Sequence, residues 1–212
     1  MDFAFENLVA VDFVNLDKFS ALAVLEARNA VREFMLTSRE ISEAEHFRFI
    51  ESLRNDKRNA YFAVYECESS DKIRHCEAHE QSEVQRSNPQ THTIFLGAIC
   101  LNQIDFANKN ANMGIYSVVG ANNGANLLKM LKFIAFSELN LHILYAKVLD
   151  SNSRALRFYA KNGFVRCGKL IEAIKRGDRF VDLEILALKN ALESSLRDFA
   201  KQNRGNPNKL RN

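Results

Sequence analysis

The chain has 212 residues, of which 47% are hydrophobic and 26% charged, and its formal net charge is +3. This length and composition predict one globular domain with a sizeable core, and they exclude a chain that is disordered throughout. No apolar run reaches the roughly 18 residues of a membrane-spanning helix, and the small net charge does not indicate a nucleic-acid or membrane partner.

The first third of the chain predicts a strand, two helices and a second strand. Leu8–Val14 is a β-branched apolar run of strand length. The next segment carries one helical stripe, formed by Ala21, Val24, Leu25 and Arg28. Ser42 followed by Glu45 is a capping-box pattern that predicts the start of a second helix. One face of that helix carries His46, Phe49, Ile50 and Leu53, and a strand is predicted at Ala60–Glu66.

Residues 67–92 interrupt this pattern, because they are polar, lack a sustained period and contain Pro89. They predict an insertion between two strands. Two long strand patterns follow at 93–106 and 110–119, separated by a turn-like segment, and they predict a hairpin.

The C-terminal half alternates helices and strands. A Gly/Asn-rich loop, Gly120–Gly124, leads into a helix whose core face is predicted to hold Leu127, Leu128, Leu131, Ile134 and Ala135. A buried strand, a short helix that stops at Asn162–Gly163, and a final hairpin follow. The order predicts an α/β domain over residues 1–189, with a mixed sheet and helices on both faces. Residues 190–212 predict a polar helix and tail.

Two features could carry chemistry, whereas the P-loop, GxGxxG, HExxH and GxSxG motifs are absent from the sequence. The helix that begins near Gly124–Asn126 presents unpaired amides that could hold a diphosphate, although a plain strand-to-helix turn would look the same. Asn152 and Tyr159 are seven residues apart and lie on one helix face. Tyr159 could equally be a core tyrosine bonded to the backbone.

The stretch GIYSVVGANNGA (Gly114–Ala125), followed by an apolar helix and by DSNSRALRFYAKNGF, resembles the Gcn5-related N-acetyltransferase (GNAT) superfamily. Its motif N-x-x-A-x-x-x-Y-x-x-x-G-F is matched by Asn152, Ala155, Tyr159, Gly163 and Phe164. In the loop, Ala125 agrees with the superfamily's diphosphate signature, whereas Gly120 and Asn123 depart from it.

The N-terminal half is similar to the branch of this superfamily that acetylates UDP-4-amino sugars in pseudaminic acid biosynthesis, a pathway of flagellin glycosylation. The resemblance lies in ARN at 27–29, FM at 34–35, EHFRFIESL at 45–53 and GIY at 114–116. Together the two resemblances cover residues 8–66 and 93–188.

The resemblance implies a mostly antiparallel sheet in which two parallel strands, Met113–Val119 and Leu144–Leu149, splay apart around acetyl-CoA. It places the diphosphate on the amides of Asn122, Asn123, Gly124, Ala125 and Asn126. It places the pantetheine arm beside Tyr116, Val118 and Asn152, and the thiol near Tyr159 as general acid. A backbone N–H around Tyr116–Val118 would stabilise the oxyanion. No metal is implied.

The implied acceptor is UDP-4-amino-4,6-dideoxy-N-acetyl-β-L-altrosamine, acetylated on its C4 amine. Arg28 and His46 would receive its diphosphate, and Met35, Phe49 and Tyr116 would form an apolar wall. Each also has a plainer interpretation: a surface arginine, a histidine that packs at a helix start, and ordinary core. Some relatives carry a carboxylate base where this chain has Lys147, so the base is left unassigned.

Two other functions stay open: a protein or peptide N-acetyltransferase of the same fold, and a non-catalytic acyl-CoA-binding module. The altered loop favours the module, whereas Tyr159 opposes it.

The cysteines Cys67, Cys76, Cys100 and Cys167 form no CxxC pair, and Cys100 and Cys167 are interpreted as small buried residues of a reduced protein. The spacing of Cys67, His75, Cys76, His79 and His92 fits no familiar metal site. The start of the chain lacks the basic region of a signal peptide, so a cytoplasmic location is expected, with a homodimer as an open possibility.

Overall fold

A computed structural model describes residues 1–67 and 93–190. The predicted insertion beyond Cys67 lies outside the described residues, and so do His75, Cys76, His79 and His92, whose spacing fits no familiar metal site. The predicted C-terminal helix and tail beyond Asn190 also lie outside them.

The described residues form one eight-stranded sheet in the order β1-β2-β3-β4-β5-β6-β8-β7. The strands are β1 (Phe3–Phe5), β2 (Leu8–Asp12), β3 (Ala60–Cys67), β4 (Thr93–Asp105), β5 (Asn110–Ser117), β6 (Ile143–Leu149), β7 (Val165–Arg176) and β8 (Arg179–Lys189). Every neighbouring pair is antiparallel except β5 and β6, which are parallel. The predicted α/β fold with a mixed, mostly antiparallel sheet is confirmed.

Four α-helices cover the two faces of the sheet in this part of the chain: α1 (Lys18–Ala30), α2 (Glu43–Leu53), α3 (Gly124–Lys132) and α4 (Ser153–Lys161). Short 3-10 turns occupy Phe13–Asn15 and Arg32–Phe34, and a π-helical segment, Phe133–Glu138, extends α3. The larger core cluster lies between the sheet and α3, with α4 packed against it. The smaller cluster lies under α1 and α2. Helices on both faces were predicted, and the capping box at the start of α2 is present.

The central feature of the sheet is the short pairing of its two parallel strands. The register of β5 and β6 runs from Asn110–Ile143 to Met113–Ala146 and then ends. Beyond that point β5 remains paired with β4 as far as Ser117, and β6 remains paired with β8 as far as Leu149. The two strands therefore separate beyond Met113 and leave a V-shaped gap, as the resemblance implied.

Several boundaries and one burial prediction differ from the expectation. Strand β1 was not predicted, since three residues are too few for a pattern. Strand β2 ends at Asp12, because its carboxylate accepts from Val14 N and starts a 3-10 turn. Cys67 is the buried last residue of β3 rather than part of an insertion. Cys167 was predicted to be buried and is exposed, because β7 is an edge strand; Cys100 is half-buried.

Candidate active site

The loop between β5 and α3 is held in place by the carbonyl of Leu96 on β4. Leu96 O accepts from the Val118 amide at 3.1 Å and from the Asn123 side chain at 3.3 Å. Gly120 takes the left-handed conformation, with φ +82°, which a residue with a side chain rarely adopts. The side chain of Asn123, at the N-cap position, is thus tied to the sheet and does not cap α3.

The first turn of α3 consequently presents its amides to the open end of the gap. The first intrahelical hydrogen bond runs from Leu127 N to Asn123 O, at 3.0 Å. The N–H groups of Gly124, Ala125 and Asn126 precede that bond and have no partner four residues back. Such amides, at the positive end of a helix dipole, favour a diphosphate. Gly124 also lies against Phe158 of α4, where a Cβ would come within 3.2 Å of the ring.

The amides of β5 alternate between the two neighbouring strands, and this decides which of them faces the gap. Val118 N bonds to β4, so in an antiparallel ladder Tyr116 N points the same way and Ser117 N points toward the gap. Within the predicted segment Tyr116–Val118, Ser117 is therefore the residue whose amide is free to meet an oxyanion.

Tyr159 lies in the larger core cluster, with 8% of its surface exposed. Its ring packs against Phe158 and Phe164, at centroid distances of 5.3 and 4.9 Å. Burial, and secondarily the nearby Cys100, raises the pKa of the phenol, so it is protonated at neutral pH. Within the described residues its hydroxyl makes no hydrogen bond, which argues against the interpretation as a core tyrosine bonded to backbone.

Asn152 caps helix α4, since its side-chain oxygen accepts from Ala155 N at 3.1 Å. At the other end of the helix Gly163 has φ +87° and ends it as predicted. The cap fixes the start of the helix that carries Tyr159, so Asn152 supports the site through the helix.

Arg28 lies at the end of α1 and organises the segment that joins α1 to α2. Its guanidinium donates to the carbonyls of Thr37 and Arg39, at 2.6 and 2.7 Å, and to the side chain of Asn29. All three acceptors are uncharged, and none of the described carboxylates pairs with Arg28. Burial, together with the nearby charges of Arg39 and Arg32, lowers its pKa, and Tyr116 lies within electrostatic range.

His46 has a different role from the one predicted. The ring is buried, and its Nε2 lies 3.0 Å from Ala21 O, which joins α2 to α1. Burial lowers the pKa of the ring, and the neighbouring Arg28 lowers it further. A buried ring in contact with a backbone carbonyl corresponds to the packing histidine that the sequence left as the alternative, so we do not assign His46 to a phosphate.

The three residues predicted to form an apolar wall all lie on the α1 and α2 side of the sheet. Phe49 is exposed and packs edge-on against Tyr61 at 4.9 Å. Met35 is half-buried, and its carbonyl accepts from the Arg176 guanidinium near the turn between β7 and β8. Tyr116 is half-buried in the smaller cluster, and burial raises its pKa. Lys147 is exposed, on the part of β6 that pairs with β8 but no longer with β5.

Two residues of this region were not predicted as site residues. Arg176 reaches Met35 across 141 positions of sequence, a contact that no local pattern signals. Cys100 lies beside Gly114 at the point where the gap opens. A cysteine in a strand pattern is usually core, and only the register reveals its neighbour.

The described residues contain no group of three or more side chains suited to a metal ion. Among the helices of residues 1–67 and 93–190, none has the length and apolarity of a membrane span.

Sequence comparison finds a relative among characterised proteins. No protein-family model matches the chain. The acetyltransferase PseH of Campylobacter jejuni is 26% identical over 159 residues, which cover 72% of this chain and 82% of the relative.

Solved structures share the fold over most of their length. The spermidine N-acetyltransferase of Vibrio cholerae, solved in complex with CoA and spermine, superposes with a TM-score of 0.65 at 19% identity, covering 87% of this chain and 96% of that one. A dodecameric structure of spermidine N-acetyltransferase from the same organism superposes with a TM-score of 0.62 at 17% identity, covering 87% of this chain and 95% of that one. These neighbours confirm the predicted GNAT fold. Together with the sequence relative they support an N-acetyltransferase enzyme.

Proposed function

We propose that this protein transfers the acetyl group of acetyl-CoA to the amine of a UDP-linked 4-amino sugar. The specific acceptor proposed is UDP-4-amino-4,6-dideoxy-N-acetyl-β-L-altrosamine, in cytoplasmic pseudaminic acid biosynthesis. The observation that carries the acetyl-transfer step is the V-shaped gap between β5 and β6. The first amides of α3 follow the open end of the gap, and a protonated phenol, Tyr159, belongs to the same core cluster as Met113 and Ala146, the last paired residues of the two strands.

Acetyl-CoA fits this gap in one direction. Its diphosphate would lie on the amides of Gly124, Ala125 and Asn126, with Asn122 and Asn123 shaping the loop. The pantetheine arm would run back along β5, past Val118 and Tyr116, and its amides could pair with the unpaired edge of the strand. The sulfur would then come to rest near Tyr159.

The reaction needs no covalent enzyme intermediate. The amine nitrogen attacks the thioester carbon, and the Ser117 amide stabilises the oxyanion. The carbon–sulfur bond then breaks, Tyr159 donates its proton to the departing thiolate, and the nitrogen loses a proton to water, from which the phenol is restored. The amine enters uncharged, because desolvation and the charge of Arg28 both disfavour its ammonium form.

The charge of the acceptor side favours an anionic acceptor over a polyamine. Arg28 is half-buried with no carboxylate partner among the described residues, and Arg32 and Arg39 are near enough to lower its pKa. A guanidinium in this setting suits a planar pair of phosphate oxygens. A polycation such as spermidine would be repelled from it.

The test is a thiol-release assay of the full chain with acetyl-CoA and a panel of amines. We expect release with the UDP-4-amino sugar, and neither with spermidine nor with an amino-terminal peptide at equal concentration. Mass spectrometry of the product should show one added acetyl group on the sugar. Release with the peptide but not with the sugar would contradict the proposed acceptor, and binding of acetyl-CoA without turnover of any amine would favour the acyl-CoA-binding module.

A further inference from the structure

Cys100 occupies the point of the sheet where the gap begins. In the register of β4 it lies between Tyr61 of β3 and Gly114 of β5. Gly114 is the first residue of β5 beyond Met113, the last residue that pairs with β6. Cys100 is therefore the residue of β4 that lies opposite the first position of β5 beyond the apex of the V.

The sulfur of Cys100 fills the space that a side chain at position 114 would take. A Cβ built on Gly114 would lie 2.7 Å from Sγ, closer than real Cβ atoms approach other heavy atoms. The sulfur is fixed there, since Asn102 Nδ2 donates to it at 3.3 Å. Residues 100 and 114 thus share one volume, and only one of them can fill it.

Cys100 is partly accessible to solvent although it lies on an inner strand of the sheet. Burial raises the pKa of its thiol to about 11, so the thiol is neutral and is not a nucleophile at neutral pH. Its strand neighbours Ile99 and Leu101 point into the larger core and are buried, whereas Cys100 points to the other face and remains partly accessible. A deep side chain that stays accessible lines a cleft. Cys100 is also near enough to Tyr159 to raise the pKa of that phenol.

We propose that Cys100, seated over Gly114, sets the length of the acyl group that the enzyme accepts. This inference rests on the proposed acetyl-CoA site. The diphosphate lies at the start of α3, after the carboxyl end of β5, and the sulfur lies at Tyr159. The arm therefore points toward the apex, and the acyl group is its leading end. The acetyl methyl group meets Gly114 and the Cys100 sulfur, which leave no room for another methylene.

The test compares kcat/KM for propionyl-CoA and acetyl-CoA with one amine acceptor. C100A opens the shared volume, so we expect the propionyl-to-acetyl ratio to rise about tenfold, the low end of what one methylene is worth in an apolar pocket. C100S keeps the volume and should keep the wild-type ratio. The double variant C100A/G114A refills the volume with the new Cβ and should bring the ratio back toward wild type.

Two further variants keep the result interpretable. C167A changes the exposed cysteine of β7 and should leave the ratio unchanged. C100V adds bulk on a β-branched residue that suits a strand, and it should lower kcat/KM for acetyl-CoA itself. This second variant tests the inference even if C100A does not fold. Thermal unfolding followed by circular dichroism shows which variants are folded.

The outcomes separate this inference from the proposed function. An active wild type whose ratio does not change in C100A overturns the role of Cys100 and leaves the acetyl-transfer proposal standing. A wild type that neither binds acetyl-CoA in calorimetry nor releases its thiol with any amine overturns the proposed function, and the inference with it.

Discussion

The two faces of the sheet are built differently. The face under α3 and α4 is sealed by aliphatic side chains such as Leu127, Leu128 and Leu131, each at most 2% exposed. The face under α1 and α2 holds a smaller core, bordered by half-buried Tyr116 and Arg28. There the segment between the helices is fixed by hydrogen bonds from Arg28, Asn29 and Arg176 to backbone carbonyls.

This difference separates two tasks. Acetyl-CoA needs a rigid frame that holds helix amides and a phenol in place, and close packing supplies it. An acceptor needs polar groups that stay accessible, and a segment held by directional hydrogen bonds supplies those. Changes on the α3 and α4 face should therefore lower stability, except at Tyr159, and changes on the other face should alter acceptor use.

Tyr159 tests whether a residue of the sealed face acts in chemistry, and it carries the largest expected effect. We expect Y159F to lower kcat about 100-fold, since general-acid groups typically contribute that much or more. The ring packing is preserved, so the Kd for acetyl-CoA should stay within about twofold. The thiol-release assay gives kcat, and calorimetry gives the Kd for acetyl-CoA. If kcat and the affinity for acetyl-CoA fell by the same factor, the phenol would pack against the cofactor and donate no proton.

A substitution of Leu131 tests whether packing on the α3 and α4 face stabilises the fold. The side chain is 1% exposed in the larger core cluster, so we expect L131A to lower the free energy of unfolding by about 3 kcal/mol. Urea denaturation measures the change. M35A, on the other face, should cost clearly less, because Met35 is only half-buried. Similar losses for the two variants would contradict the contrast between the faces.

Arg28 tests the acceptor face. R28Q removes the charge and part of the fork that holds the segment, and we expect KM for the UDP-sugar to rise about 30-fold, or about 2 kcal/mol, as for a lost charge-assisted hydrogen bond. The KM for acetyl-CoA should change little. R28K keeps the charge and should lose less. An equal rise in both KM values would mean that Arg28 supports the fold alone.

Substitutions of Asn152 distinguish a helix cap from a direct contact with the cofactor. N152A should lower the free energy of unfolding by about 1 kcal/mol, the usual cost of a lost N-cap. N152D also caps a helix and should restore stability. If N152D restores stability but leaves the Kd for acetyl-CoA raised, the amide group itself contacts the cofactor. If the free energy of unfolding and the Kd for acetyl-CoA both return to wild-type values in N152D, Asn152 acts only as a cap.

His46 carries the smallest expected effect, a pH dependence of stability. Burial lowers its pKa below the ordinary value of 6.5, so the unfolded chain binds the proton more readily. Its contribution is present above pH 6.5 and is lost as the pH falls through the lower folded value. H46Q can still donate to Ala21 O but does not titrate in this range. The melting temperature should fall less steeply with decreasing pH, below about pH 6.5, in H46Q than in the wild type. Parallel slopes would exclude the histidine as the cause.

Much of the fold could be predicted from the sequence, because its signals are local. The stripe on α1, the Ser42 capping box and the stop at Asn162–Gly163 depend on residues within a few positions of one another. Tyr159 could be singled out in the same way, from its spacing to Asn152 within one helix.

Other features required the tertiary structure. The burial of His46 depends on α1, 25 residues away, and the bond between Arg176 and Met35 spans 141 positions. Contacts between residues so far apart produce no local periodic pattern in the sequence. The exposure of Cys167 depends on the order of strands, which places β7 at the edge.

The sequence by itself determined all the helices and strands of the described residues except β1 and the short turns, and the loop that precedes α3, since propensity, capping and periodicity are properties of neighbouring residues. Only the tertiary structure decided which amide of β5 faces the gap and which cysteine borders it. Those properties follow from strand register, and register is set by pairing between residues far apart in the chain.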